Sequence, residues 1–140
     1  MDVHSVAAFY QRLDKTTLGE LSQIYHPNIE FQDAAHRMVG LESLQHYFQE
    51  LYQNVNQCRF QIGDVFSHPE GGMITWEMEL SHPKLKRGKL VTVAGVSHLK
   101  FADGKVIYHR DYFDLGEMVY EHIPVLGHLI RTIKQKLGQS

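Results

Sequence analysis

Apolar side chains recur at three- and four-residue steps early in the chain and at two-residue steps after residue 57. Val3, Val6, Tyr10 and Leu13 follow helical spacing and predict a first amphipathic helix. Thr17-Leu18-Gly19-Glu20 has the form of a capping box, and Leu18, Leu21 and Tyr25 then share one face of a second helix. That helix is expected to stop near His26-Pro27, because a proline disfavours helical geometry in the residue before it. Ile29 and Phe31 alternate with polar neighbours and read as a short strand. Residues 32–39 show no period and read as a loop. Leu41, Leu44, Tyr47, Phe48, Leu51, Tyr52 and Val55 form the strongest helical stripe in the chain.

The period then changes. Cys58, Phe60 and Ile62 alternate, and Gly63 marks an expected bulge before Val65-Phe66. His68 to Gly72 reads as a turn. Ile74, Trp76, Met78 and Leu80 alternate with Thr75, Glu77 and Glu79, the mark of a half-buried strand. Pro83 to Gly88 is a polar, basic loop. Residues 89–101 are apolar on both parities, so both faces of that strand should be covered. Ala102-Asp103-Gly104-Lys105 is a hairpin turn signal leading into a last strand, Val106 to Asp114. Val125, Leu126, Leu129, Ile130, Ile133 and Leu137 return to helical spacing. Helices first and strands after indicate an α+β fold. The expected architecture is a cone-shaped, curved antiparallel sheet wrapped around the N-terminal helices, with a C-terminal helix.

The 140 residues suit a single domain, residues 1–140. Fourteen Lys+Arg against 16 Asp+Glu leave a net charge of −2, so there is no basic excess to hold a nucleic-acid backbone. The single cysteine, Cys58, excludes an internal disulfide and a cysteine-rich zinc site. No apolar run approaches the roughly 18 residues of a membrane span. Met1-Asp2-Val3-His4 lacks the cationic start of a secretory signal, so a cytoplasmic protein is expected.

Four strings resemble the nuclear transport factor 2-like superfamily, which includes ketosteroid isomerases, limonene epoxide hydrolases and SnoaL-like polyketide cyclases. They are Ala8-Phe9-Tyr10, Tyr25 to Asp33, Gly40 to Phe48, and His109-Arg110-Asp111-Tyr112-Phe113-Asp114. Together they cover most of residues 3–115. The resemblance implies the cone fold, but the superfamily holds enzymes, binding proteins and plain dimer modules, so fold alone does not give function.

Asp33 is the first candidate for chemistry. A carboxylate beside Phe31, Ala34 and Ala35 at a cavity mouth suits general-base work, and the resemblance matches it to the isomerase carboxylate that abstracts a proton next to a carbonyl. The other reading is an aspartate that caps a turn after a strand. Asp111 is the second candidate. His109, Asp111 and Phe113 share a strand face, with successive members about 7 Å apart, so His109 and Asp111 can address one small ligand. Parity alone does not say whether this face or that of Tyr108 and Tyr112 is inside. The resemblance places the cyclase acid/base aspartate on this strand and favours the His109/Asp111 face.

By resemblance, Tyr10 matches the isomerase tyrosine that donates a hydrogen bond to the substrate oxygen. Ser97 stands where the isomerase has its second, acidic donor, a weaker group for stabilising an enolate. Arg110, adjacent to Asp111, must point to the opposite face and does not reproduce the hydrolase arginine. Trp76, Met78 and Phe113 are expected to line the cavity, with simple core packing favoured for Met78. His109-x-Asp111 is half of an iron-type facial triad, but nothing selects His98 or His36 as the third ligand, so neither a metal nor another cofactor is expected. Two function classes follow. One is a cofactor-free isomerase or cyclase acting on an apolar, carbonyl-bearing or cyclic molecule through Asp111, His109, Asp33 and Tyr10. The other is a non-catalytic ligand-binding or dimerisation module. Val91/Val93 or Leu90/Val96 must face outward from the sheet and be covered by something, and the resemblance implies a homodimer paired through that face.

Overall fold

The computed structural model describes residues 1–118 and 124–138. Helix α1, Val3–Gln11, starts where the Asp2 carboxylate accepts the Ser5 N–H at 3.0 Å, supplying a partner for a free helix donor. Its buried face is Val3, Val6, Ala7, Phe9 and Tyr10. A 3-10 turn over Leu18–Glu20 runs into the short helix α2, Leu21–Ile24. The capping box does not form. Thr17 Oγ1 instead accepts the Asp14 N–H at 2.9 Å, and Glu20 pairs with Arg12 at 2.8 Å.

Strand β1, Tyr25–Gln32, begins earlier than the sequence indicates, and Tyr25 belongs to it rather than to the helix. Pro27 fits inside it because the pairing with the neighbouring strand is irregular between Tyr25 and Glu30, so no ladder N–H is required there. The stretch read as a loop contains a three-residue strand, β2 (Arg37–Val39), too short to show a period. Gly40, at φ 98°, turns the chain into α3, Leu41–Asn54, a backbone geometry glycine adopts without steric cost. Strands β3 (Gln57–His68), β4 (Gly71–Ser81), β5 (Val91–Ala102) and β6 (Lys105–Phe113) follow, then α4 (Leu115–Met118) and α5 (Pro124–Gly138). Asp103 and Gly104, both at positive φ, make the two-residue turn between β5 and β6.

The six strands form one sheet in the order β2-β1-β6-β5-β4-β3. It is curved and mixed: four pairings are antiparallel, as expected, while β1 runs parallel to β6. A bulge in β3 between Ile62 and Val65 bends its edge, where the Asp64 N–H bonds Thr75 Oγ1 at 2.7 Å. Helices α1, α2 and α3 pack on the concave face, and the core runs through Phe9, Leu21, Ile29, Leu44, Leu99 and Val106, while Leu126, Leu129, Ile133 and Leu137 of α5 are exposed. Val91 and Val93 point into this core, so the outer face carries the other parity, with Val96 half-buried and Phe66, Met73 and Tyr112 exposed. No helix among the described residues is long and apolar enough to cross a membrane.

Candidate active site

The concave face of β6 carries His109, Asp111 and Phe113, as the two-residue repeat of a strand requires. Register sets Ser97 of β5 opposite Asp111, and Gly95 opposite Phe113. Trp76 of β4 faces Gly95 across the other side. A Cβ at Gly95 would stand 2.3 Å from Trp76 Cη2, so glycine is what lets the indole lie across β5. From there Trp76 meets Phe113, with ring centroids 6.2 Å apart, and Phe60, edge to face at 5.3 Å.

A continuous line of polar groups threads this apolar wall. Trp76 Nε1–H donates to Ser97 Oγ at 2.9 Å. An indole only donates, so the Ser97 proton is directed to Asp111 Oδ1. The same oxygen takes His109 Nε2–H at 2.6 Å. His109 is 0% exposed, and its Nδ1 meets the Tyr25 hydroxyl at 2.8 Å. Tyr25 in turn bonds the Tyr10 hydroxyl. Burial above all pushes the Tyr10 and Tyr25 phenols well above their ordinary range, with the Asp111 charge adding to it and the Tyr10 hydrogen bond opposing it at Tyr25, so both keep their protons. Asp111 Oδ1 is therefore saturated, while among the described residues Oδ2 receives no hydrogen bond.

Asp33, just beyond β1, is arranged differently. Its Oδ1 accepts the N–H groups of Ala35 at 2.8 Å and His36 at 2.7 Å, with His36 Nδ1 at 3.3 Å. Its Oδ2 accepts the Tyr47 hydroxyl at 2.7 Å. The Asp33 N–H closes the turn onto the His36 carbonyl at 2.9 Å. Burial, followed by the charge and hydrogen bond of Asp33, pushes Tyr47 well above its ordinary pKa. The side chain thus occupies a cavity position while holding a turn.

Between the helices and the sheet lies a mostly apolar cavity of about 110 Å³. That is well above the ~10–15 Å³ needed to hold one water. Tyr10, Asp33, Trp76, Met78, Asp111 and Phe113 all line it. His109 and Ser97 do not. They stand behind Asp111, so Ser97, read from the sequence as a ligand-facing hydroxyl, is spent on Trp76 and Asp111. Tyr10 likewise meets Tyr25. Arg110 is on the outer face, stacked over Tyr112 at 4.6 Å. Cys58 is buried on the cavity wall, and burial pushes its thiol up to about 11. Among the described residues no group of three His, Cys, Asp or Glu side chains is placed to hold a metal ion.

Two participants escaped the sequence reading: Tyr25 and Tyr47. Both sit at apolar positions of a periodic stripe, and periodicity counts a tyrosine as core. The available signal was the hydroxyl itself, which needs a partner once buried.

Residues 6–109 match the SnoaL-like domain family. The chain belongs to that family. Solved structures share the fold. A protein with a ketosteroid isomerase-like fold from Catenulispora acidiphila, solved with trimethylamine, is 14% identical, with 87% of this chain and 93% of that one covered at a TM-score of 0.74. A SnoaL-like polyketide cyclase from Agrobacterium tumefaciens is 14% identical over 84% and 95% of the two chains, with a TM-score of 0.71. An LEH-like epoxide hydrolase from M. tuberculosis is 16% identical over 83% and 80%, with a TM-score of 0.70. None of the curated proteins matches the sequence.

Proposed function

We propose that this SnoaL-like protein binds a small apolar molecule bearing a carbonyl or ring oxygen and performs cofactor-free acid/base chemistry on it, with Asp111 as the reacting group. The observation that carries the reading is the asymmetry of the Asp111 carboxylate. Ser97 and His109 fix Oδ1, while Oδ2 receives no hydrogen bond among the described residues and Asp111 lines a mostly apolar cavity. In the simplest step, Oδ2 takes a proton from the carbon next to a carbonyl and returns it elsewhere on the same molecule. His109 holds the carboxylate in place, and Trp76, Met78 and Phe113 orient the substrate through apolar contact. The resemblance to cyclases and isomerases supports this assignment.

One observation favours the non-catalytic alternative. Asp33, Ser97 and Tyr10, the other groups that the resemblance marks for chemistry, each make bonds within the protein. The experiment that separates the two is α-hydrogen exchange of small ketones in D₂O followed by NMR. The wild type should accelerate exchange, and Asp111→Asn, which keeps shape and hydrogen bonds, should lose at least about 10²-fold. Ketone binding without exchange would establish the binding module instead.

We further propose a cytoplasmic homodimer formed through the outer sheet face, where Phe66, Met73 and Tyr112 are exposed beside Val96. Sedimentation showing only a 16.2 kDa species at micromolar concentration would overturn the dimer.

A further inference from the structure

The line Tyr10–Tyr25–His109–Asp111 has fewer protons than hydrogen-bonding positions, and that shortage has a consequence for ligands. Each phenol carries one proton, and an imidazole carries one or two. With His109 neutral, its one proton sits on Nε2, facing the Asp111 carboxylate. Nδ1 is then an acceptor and takes the Tyr25 proton, and the Tyr25 oxygen takes the Tyr10 proton. Tyr10 has nothing left to donate and presents only lone pairs. With a proton on both nitrogens of His109, Nε2–H still donates to Asp111, and the two links on the Nδ1 side reverse. Nδ1–H donates to Tyr25, Tyr25 donates to Tyr10, and the Tyr10 proton is released. Tyr10 lines the cavity and has no other hydrogen-bond partner among the described residues.

We infer that Tyr25 is a positioning residue that couples the protonation of His109 to what Tyr10 offers in the cavity, so that a ligand carbonyl oxygen is bound together with a proton on His109. The inference rests on the cavity being a ligand site, as proposed above, and adds which ligand atom is recognised and at what protonation state. The titratable groups facing His109 are Tyr25 from β1, Tyr10 from α1 and Asp111 on β6 itself. Asp33 and Tyr47, from β1 and α3, border the same cavity. Ser97 of β5 bonds Asp111 and does not titrate. The Asp111 carboxylate at 2.6 Å offsets the charge of the imidazolium. His109 is fully buried, and among the described residues its side chain hydrogen-bonds Tyr25 and Asp111.

The test is calorimetric titration with acetophenone and with ethylbenzene, which has the same ring and no oxygen. Each is measured in two buffers that differ in ionisation enthalpy, from about pH 5 to pH 9. Wild-type protein should take up close to a proton per acetophenone at the upper end, where affinity should fall about tenfold per pH unit. Ethylbenzene should bind without uptake. In Tyr25→Phe the Tyr10 proton is permanently free, so acetophenone should bind with no uptake and no pH dependence. Acetophenone bound by the wild type without uptake, or uptake that persists in Tyr25→Phe, overturns the coupling while leaving the ligand site standing. If neither compound binds, the ligand site and the coupling fall together. A second readout needs no variant. In ¹⁵N NMR of the wild type at the upper pH, His109 Nδ1 should be unprotonated when free and protonated when saturated with acetophenone. An unchanged Nδ1 overturns the proposal.

Discussion

Two carboxylates line one cavity, and their surroundings give them opposite occupations. At the end of β1, Asp33 spends both oxygens on its own turn and on Tyr47. On β6, Asp111 concentrates its bonds on Oδ1 and leaves Oδ2 without a donor among the described residues. Residue type and cavity position are the same, so neither decides what a carboxylate does. The count of donors around each oxygen decides it. A turn supplies backbone N–H groups at close range and uses the acid up. A strand's own backbone N–H groups lie in the sheet, so only side chains reach Asp111, and here they reach one oxygen.

The sharpest way to break this comparison is substitution by asparagine at both positions. Asp111→Asn should lower ketone exchange by at least about 10²-fold with a melting temperature close to wild type. Asp33→Asn should retain exchange and destabilise the domain by about 1–3 kcal/mol, because the charge-assisted bonds from its own turn and from Tyr47 are weakened. Exchange assays beside melting curves check both, and a reversed pattern would exchange the two roles.

Gly95→Ala tests the wall that both carboxylates share. The new Cβ would overlap the indole of Trp76, costing about 1–3 kcal/mol and shifting Trp76 fluorescence. It should also weaken binding of apolar ligands. Tyr47→Phe should cost about 1–2 kcal/mol, by leaving Asp33 Oδ2 without its donor, while exchange through Asp111 persists. The smallest effect is expected at Cys58, which touches neither carboxylate. Its thiol is pushed up to about 11 from an ordinary 9.0. A raised acid stabilises the fold below its unfolded pKa, so this contribution should be intact at pH 8 and fade as pH rises from about 9 toward 11. Cys58→Ala should flatten that segment of the stability curve. Native protein at pH 8 should resist iodoacetamide, and rapid labelling there would show that the cavity wall opens.

The order of elements was legible because burial imposes its period on the sequence. The α3 stripe, the alternation in β4 and the Asp103-Gly104 turn are local signals. The start of β1 was not legible. Tyr25 continues the spacing of Leu18 and Leu21, and only its place beside β6 makes it a strand residue. β2 has three residues and so no period at all. Parallel pairing of β1 with β6 joins segments some 80 residues apart, and nothing local encodes it.

The candidate site divides the same way. By itself the sequence determined that His109, Asp111 and Phe113 share a face, since alternation is a property of the strand. It also determined the helical and strand stripes that build an α+β domain around a cavity. Only the tertiary structure decided that this face looks inward, that Asp33 is consumed by its turn, and that Tyr10, Tyr25 and His109 join in one line. Those facts depend on which hydroxyls and ring nitrogens meet when distant segments pack. A buried polar atom takes the partner that packing brings to it, and spacing along the chain carries no record of that choice.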